Sequence, residues 1–327
     1  MTAGQISLAR FAPALFPAVP NARRSVVLLL ALAVLVLSGL PAQAETKRIG
    51  PKMIEAEALR IVNFIGAVQI EVGLSGNKIE VLLEGQARLL EDIALRREGK
   101  LLVVEREKDW LDFPEQQLYE WRDTFPKVTL RVPAGTPVTL DGVVGKARIG
   151  DISAPLVLEA SLLEAEVGDV SEARLALFGR GDVTIGKIAG RLDANLSGSS
   201  DLTIGDAGEV VIEKSGSGDI VLGAIGEGLS YDSTGSGDSS AASVTGPVDV
   251  RISGSGNLYL KGGEAEPLTL RITGSGDFRF DGTAVDPDVT INGSGSVRIH
   301  GHRGTLRLRS FSGAVVYSER GGISIAQ

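Results

Sequence analysis

Ser253-Gly254-Ser255-Gly256-Asn257-Leu258-Tyr259-Leu260 decides the fold, because its phrase returns at a fixed interval. Gly-Ser-Gly stands at Gly216–Gly218, Gly235–Gly237, Gly254–Gly256, Gly274–Gly276 and Gly293–Gly295, after a near-copy at Gly198-Ser199-Ser200. The first glycines are 18, 19, 19, 20 and 19 residues apart. A fixed period near 20 residues marks a solenoid. Gly179-Arg180-Gly181-Asp182 extends the spacing upstream and Ser312-Gly313 extends it downstream. About ten turns of ~19 residues are expected between Lys127 and the C-terminus.

Each repeat has the same internal grammar. After the glycines come alternating apolar residues: Val183 and Ile185, Leu202 and Ile204, Ile220 and Leu222, Leu258 and Leu260, Phe278 and Phe280, Val297 and Ile299. Before the glycines the alternation runs again, as in Val250 and Ile252 or Leu270 and Ile272. Period two is a strand with one buried face. Two strands therefore meet at each Gly-Ser-Gly bend. Glycine suits the bend by accepting positive φ and by letting stacked backbones approach closely. A second bend falls mid-repeat, at Gly223–Gly228, Gly246, Gly262-Gly263 and Gly282. Coiled this way, each turn rises roughly 4.8 Å and bonds to its neighbours. One repeat cannot bury its apolar face, but a stack can. Ser239 and Ala241 replace the apolar pair in one repeat, which predicts a thinner core there.

The rest of the chain divides around this coil. Arg23-Arg24, an apolar run from Val26 to Leu37 and Ala42-Gln43-Ala44 read as a secretory signal peptide spanning 1–44. The run is shorter than the roughly 20 residues that span a bilayer. The expected location is periplasmic or secreted, in the cell envelope, with no transmembrane anchor after cleavage. Residues 45–126 form an N-terminal β segment with an aromatic capping insert, and 127–327 hold the β-helix repeats. Within the first, Val68-Ile70-Val72, Ile79-Val81-Leu83, Ile93-Leu95 and Leu101-Val103 alternate as short strands. Arg106–Lys127 contains both tryptophans, Trp110 and Trp121, with Phe113, Tyr119 and Phe125. Glu115–Asp123 suits a short helix after Pro114, and its aromatics suit a lid over the end of the coil.

Composition excludes several functions. The chain has no cysteine, hence no disulfide and no lipoprotein attachment site. It holds 41 acidic residues against 33 lysines and arginines, three of which precede residue 45. That balance argues against nucleic acid and anionic lipid as general partners. Asp182, Asp201, Asp219, Asp238 and Asp277 recur after the bend, with Asn257 and Ser296 as variants. The nonapeptide calcium repeat places its aspartate one residue further on. These aspartates are expected to bind turn backbone groups instead. His300 and His302 are the only histidines and lack a third ligand, so a solvated turn is expected and no metal site. The outward residues Thr203, Val221, Ser240, Tyr259, Arg279 and Arg298 contain no carboxylate pair for glycoside chemistry. No catalytic residue and no cofactor site is identified. Trp110, Tyr119, Trp121 and Tyr259 are the candidate binding residues.

Ser215-Gly216-Ser217-Gly218-Asp219-Ile220, Ser253–Leu258 and Thr273-Gly274-Ser275-Gly276-Asp277-Phe278 resemble the head GIN domain family of adhesin-like bacterial envelope proteins. Phe64–Ile70 and Val128–Pro133 resemble it too. The resemblance covers most of residues 60–300. It implies an all-β, right-handed parallel β-helix in an exported protein, and it brings no catalytic or binding residues. The function expected is a non-catalytic adhesion-like or scaffold module that contacts an envelope protein or glycan surface. The alternative is a carbohydrate-active enzyme, a polysaccharide lyase or hydrolase, on the same coil.

Overall fold

The computed structural model describes residues 46–107 and 125–311, with two strands beyond, 315–317 and 323–326. The expected signal peptide lies outside the described residues, as do Trp110, Tyr119, Trp121 and the helix expected at Glu115–Asp123. The described residues are nearly all-β and wind as a parallel solenoid of about nine turns, not a barrel.

The regular coil starts at residue 138, and the chain before it does not stack in sequence order. It contains β1 (Thr46–Glu55), β2 (Ala58–Val62), β3 (Ile65–Leu74), β4 (Lys78–Gln86), a four-residue helix α1 (Ala87–Leu90), β5 (Ile93–Glu98), β6 (Leu101–Arg106) and β7 (Lys127–Pro133). Then follow β8 (Val138–Asp141) and β9 (Val144–Ile149). β2 lies between β6 and β8, parallel to both. β3 lies between β7 and β9 in the same way. The turn made first in the sequence is thus inserted between two later ones. β4 covers β7 antiparallel, and β1 covers β4. β5 folds back antiparallel on β6. This hairpin work closes the first end of the stack, which would otherwise present bare strand edges. The outermost strand, β1, carries Lys47, Arg48 and Lys52 and breaks register between Ile49 and Lys52, around Pro51, which has no N–H to offer. At the other end, Ile323–Ala326 returns antiparallel to Val297–Arg303.

From β8 on, the strands before each bend stack in register, and so do those after it. Leu175, Ala194, Ile212, Tyr231, Val250, Leu270 and Val289 form one interior column. Val183, Leu202, Ile220, Ser239, Leu258, Phe278 and Val297 form another. A third side adds Val170, Ile188, Ala207, Ile225 and Val244. The core is therefore one continuous file of buried aliphatic side chains along the axis.

The thinner core expected at Ser239 and Ala241 is not what forms. Tyr231, fully buried, sits on the turn that leads to them, and its hydroxyl lies 2.8 Å from Ser239 Oγ. The two small residues make room for one large ring, so total volume is conserved across facing positions.

The Gly-Ser-Gly glycines do not take positive φ; among the mid-repeat glycines Gly228, Gly246 and Gly263 do, at 128°, 100° and 105°. The corner requires glycine because turns touch there. A Cβ on Gly235 would meet the carbonyl oxygen of Gly216 at 1.8 Å. That same carbonyl accepts the Ser236 N–H at 3.2 Å. Gly235→Ala is expected to cost about 1–3 kcal/mol by overpacking. Ser236→Ala, an exposed neighbour, is expected to stay within about 0.5 kcal/mol. Thermal melts of both variants check this; equal melting temperatures would refute the close-approach account.

Candidate functional site

The aspartates after the bend form a ladder of hydrogen bonds between turns. Asp201 Oδ1 accepts the Asp219 N–H at 2.8 Å, and Asp219 Oδ1 accepts the Asp238 N–H at 2.8 Å. Asp238 Oδ1 takes the side-chain amide of Asn257 at 2.9 Å. Asn257 Oδ1 accepts from Asp277 N–H, and Asp277 Oδ1 from both the N–H and the hydroxyl of Ser296. A second ladder runs at another bend, from Asp151 to Asp169 N–H and from Asp169 to Lys187 N–H. Bends interrupt the strand ladder and leave an N–H needing an acceptor, which the short carboxylate supplies. The expectation holds for Asp201, Asp219, Asp238 and Asp277, each of which accepts a backbone N–H from the next turn; the Asp201 N–H goes instead to the Gly181 carbonyl.

Beneath this edge sits a residue that the repeat grammar did not flag. Lys214 occupies an interior position, with Leu196 below and Ser233 above in register. It is only 3% exposed, and its ammonium donates to the Gly237 carbonyl. Burial pushes Lys214 below the usual lysine value, and the negative charges of Asp219, Asp238 and Asp201 oppose that shift. It is an internal counter-ion under an acidic edge. Burial likewise pushes the neighbouring Tyr231 phenol up, and its bond to Ser239 works against that. The signal was present in the sequence: Leu177, Leu196, Lys214, Ser233, Ile252 and Ile272 are equivalent positions, and two break an apolar file.

Of the four candidate binding residues, Tyr259 is described. It stands in the outward file Thr184, Thr203, Val221, Ser240, Tyr259, Arg279, Arg298. The Arg279 guanidinium lies 4.8 Å from its ring centroid and the Lys261 ammonium 5.9 Å. Its hydroxyl donates to Asp281. Arg279 makes two bonds to the same carboxylate, Nε to Oδ1 at 2.9 Å and Nη2 to Oδ2 at 2.8 Å. The Arg279 bonds hold the Asp281 carboxyl below the usual range. Accepting from Tyr259, Asp281 raises the phenol in turn. The result is a fixed tyrosine–arginine–carboxylate cluster on an outer face. His300 lies on the strand Val297–Arg303, exposed, rather than in the turn expected of it. Among the described residues no group of three metal-ligating side chains forms.

A groove of about 540 Å³ lies near the other end, lined by Ile65, Phe125, Val144, Leu163, Arg180 and Asp182 among others. Lys146 and Glu164 pair on its wall at 2.8 Å. Among the described residues no helix is long and apolar enough to cross a membrane.

Residues 61–263 and 232–304 match the family described as "Putative auto-transporter adhesin, head GIN domain". The chain belongs to this family. Solved structures similar to it include a "putative adhesin" from Parabacteroides distasonis, 18% identical over 81% of this chain and 98% of that one, TM-score 0.41. Another "putative adhesin", from Bacteroides fragilis, is 14% identical over 84% and 100%, TM-score 0.36. A "putative lipid binding protein" from Parabacteroides distasonis is 17% identical over 77% and 95%, TM-score 0.38. No curated protein matches the chain.

Asp219→Ala strands the Asp238 N–H and is expected to cost about 1 kcal/mol, while Asp219→Asn keeps the acceptor and costs less. Melting with and without a chelator is expected to coincide; a chelator-induced drop would show that the carboxylates hold calcium. For Lys214, the unfolded chain keeps its proton to about the ordinary value of 10.5, while the fold releases it at lower pH. Stability is therefore lowest, and flat, below the folded-state value. It rises with pH from there to the unfolded value and then levels. Lys214→Met is expected to be more stable near neutral pH and to lose that alkaline rise. Urea denaturation of both proteins across alkaline pH measures it.

Proposed function

We propose that this chain is an exported, non-catalytic adhesin-like module that binds a surface molecule of the cell envelope through the outer faces of its coil. Membership of a family described as adhesin supports the binding role. The signal-like segment 1–44 supports export, with the mature protein periplasmic or secreted.

The observation that carries the reading is the character of the outer files. They run in register from turn to turn, and their side chains are mostly spent on one another. Arg148 pairs with Glu166 at 2.9 Å and Arg191 with Glu209 at 2.7 Å, each across one turn. Asp281, the carboxylate nearest the aromatic cluster, is engaged by Arg279 and Tyr259. A lyase or hydrolase needs a free acid or base aimed into a cleft. A rigid surface that offers repeated polar rungs suits contact with an extended partner, and lasting contact suits a stiff rod with little to order on binding.

Purified protein from residue 45 onward, incubated with isolated envelope fractions, is expected to be retained saturably. Treating the fractions with protease or with glycan-degrading enzymes then tells protein from glycan. Absence of retention on every protein, glycan and lipid fraction would end the proposal, and turnover of a polysaccharide would replace it with the enzyme reading.

A further inference from the structure

Charge is unevenly spread along the coil. Residues 141–250 hold 18 acidic and 7 basic side chains, whereas residues 251–310 hold 6 acidic and 8 basic. The last turns are thus a basic end on an acidic protein. Opposite charges commonly face each other across adjacent turns elsewhere, as in Lys146–Glu164 and Arg191–Glu209. At the basic end such pairs persist at Arg303–Glu264 and Arg309–Asp288, but like charges also come into register. Arg279 and Arg298 stand directly in register on neighbouring strands. Like charges placed so repel, at a strand spacing of roughly 4.8 Å. Asp281 neutralises Arg279 through two hydrogen bonds. Arg298 is exposed and has no ion pair or side-chain hydrogen bond among the described residues.

The same arrangement occurs round the serine corner on the adjoining face. Arg251 and Arg271 are in register on neighbouring turns. Arg251 is neutralised by Asp249 at 2.8 Å, and Arg271 is exposed without a partner among the described residues. On each face one arginine is tied to a carboxylate two residues away and the next is left free. Between them lies an edge of small exposed side chains, Thr273 and Ser275, and Asp277, whose Oδ1 is taken up by the N–H and hydroxyl of Ser296.

We infer that these arginines form a binding site for an extended polyanion whose carboxylate groups meet Arg298 and Arg271, an acidic polysaccharide of the uronic acid class. This rests on the surface-binding reading above and names its ligand class. Guanidinium groups recognise carboxylates through paired N–H donors. Arg279 is held in place by Tyr259 and Asp281, so its position is set before any ligand arrives. A chain-like ligand fits better than a single small anion, because the free cations lie on two faces joined by a corner without bulky side chains. An anionic membrane fits less well. Lipid surfaces are bound by clusters of about four to eight basic residues, and here Arg271 and Arg298 each have a carboxylate-bound arginine beside them on a net acidic protein.

The test measures binding of a size-selected oligogalacturonate to the protein from residue 45 onward, by calorimetry at low and high salt. A neutral malto-oligosaccharide and vesicles of phosphatidylcholine with phosphatidylglycerol serve as comparisons. Wild-type protein is expected to bind the oligogalacturonate, more weakly as salt rises. Arg298→Ala is expected to weaken binding about tenfold or more, with an unchanged melting temperature, and Arg298→Lys to restore part of it. Arg271→Ala, on the other face, should weaken it independently. Equal binding by wild type and Arg298→Ala overturns the site, as does no oligogalacturonate binding, or binding to the vesicles alone. Retention on envelope fractions, measured in parallel, separates the two claims. If Arg298→Ala is retained like wild type, the arginine site falls and the surface-binding reading stands. If wild type itself is not retained, that reading falls.

Discussion

The backbone hydrogen bond between successive Gly-Ser-Gly corners governs the rest of the molecule. The Ser217 N–H reaches the Gly198 carbonyl at 3.0 Å, and the Ser294 N–H reaches that of Gly274 at 3.0 Å. Those approaches leave no space for a Cβ: one on Gly198 would lie 1.9 Å from the Gly179 carbonyl oxygen. With the corners in contact, the strands on either side fall into register. Register in turn places every interior side chain over its equivalent one turn away. A corner held open by a single methyl would therefore loosen two strand ladders and the apolar file behind them.

That constraint explains why carboxylates recur at the edge without acting as a metal site. Each turn carries a backbone N–H at the bend, and each receives an oxygen from the turn before it. The cost is a file of like charges roughly 4.8 Å apart. Lys214 offsets it from within, at the expense of burying an ammonium where Leu196 and Ile252 mark the ordinary occupant of the file. The exchange of Ser239 and Ala241 for a buried Tyr231 is the same kind of local settlement, made in volume instead of charge.

Stacking also sets what the outer surface can do. Because neighbouring turns lie in register, one substitution per repeat becomes a file, and the character of a file can change along the axis. The outward file passes from Thr184 and Thr203 through Tyr259 to Arg279 and Arg298 on one flat face. A rod built this way presents different chemistry at its two ends over an interior that is apolar along most of its length. A binding function needs nothing more from the fold than that surface and its stiffness.

Much of this was legible in the sequence, for a physical reason: period and alternation are local properties, and a solenoid is made of local contacts repeated. The all-β coil, the bends and the backbone role of the aspartates all follow from the spacing of Gly-Ser-Gly and the alternating Leu, Ile and Val beside it. Other features depend on which segments become neighbours, and these emerge in the folded chain alone. The insertion of β2 and β3 between strands some 40 to 80 residues later leaves no mark in either partner's sequence. The burial of Lys214, the pairing of Tyr231 with Ser239, and the meeting of Tyr259 with Asp281 each join residues from different turns or strands. The repeat period required that equivalent positions stack. The register of the stack determined which side chains meet, and with it the charges left free at Arg271 and Arg298.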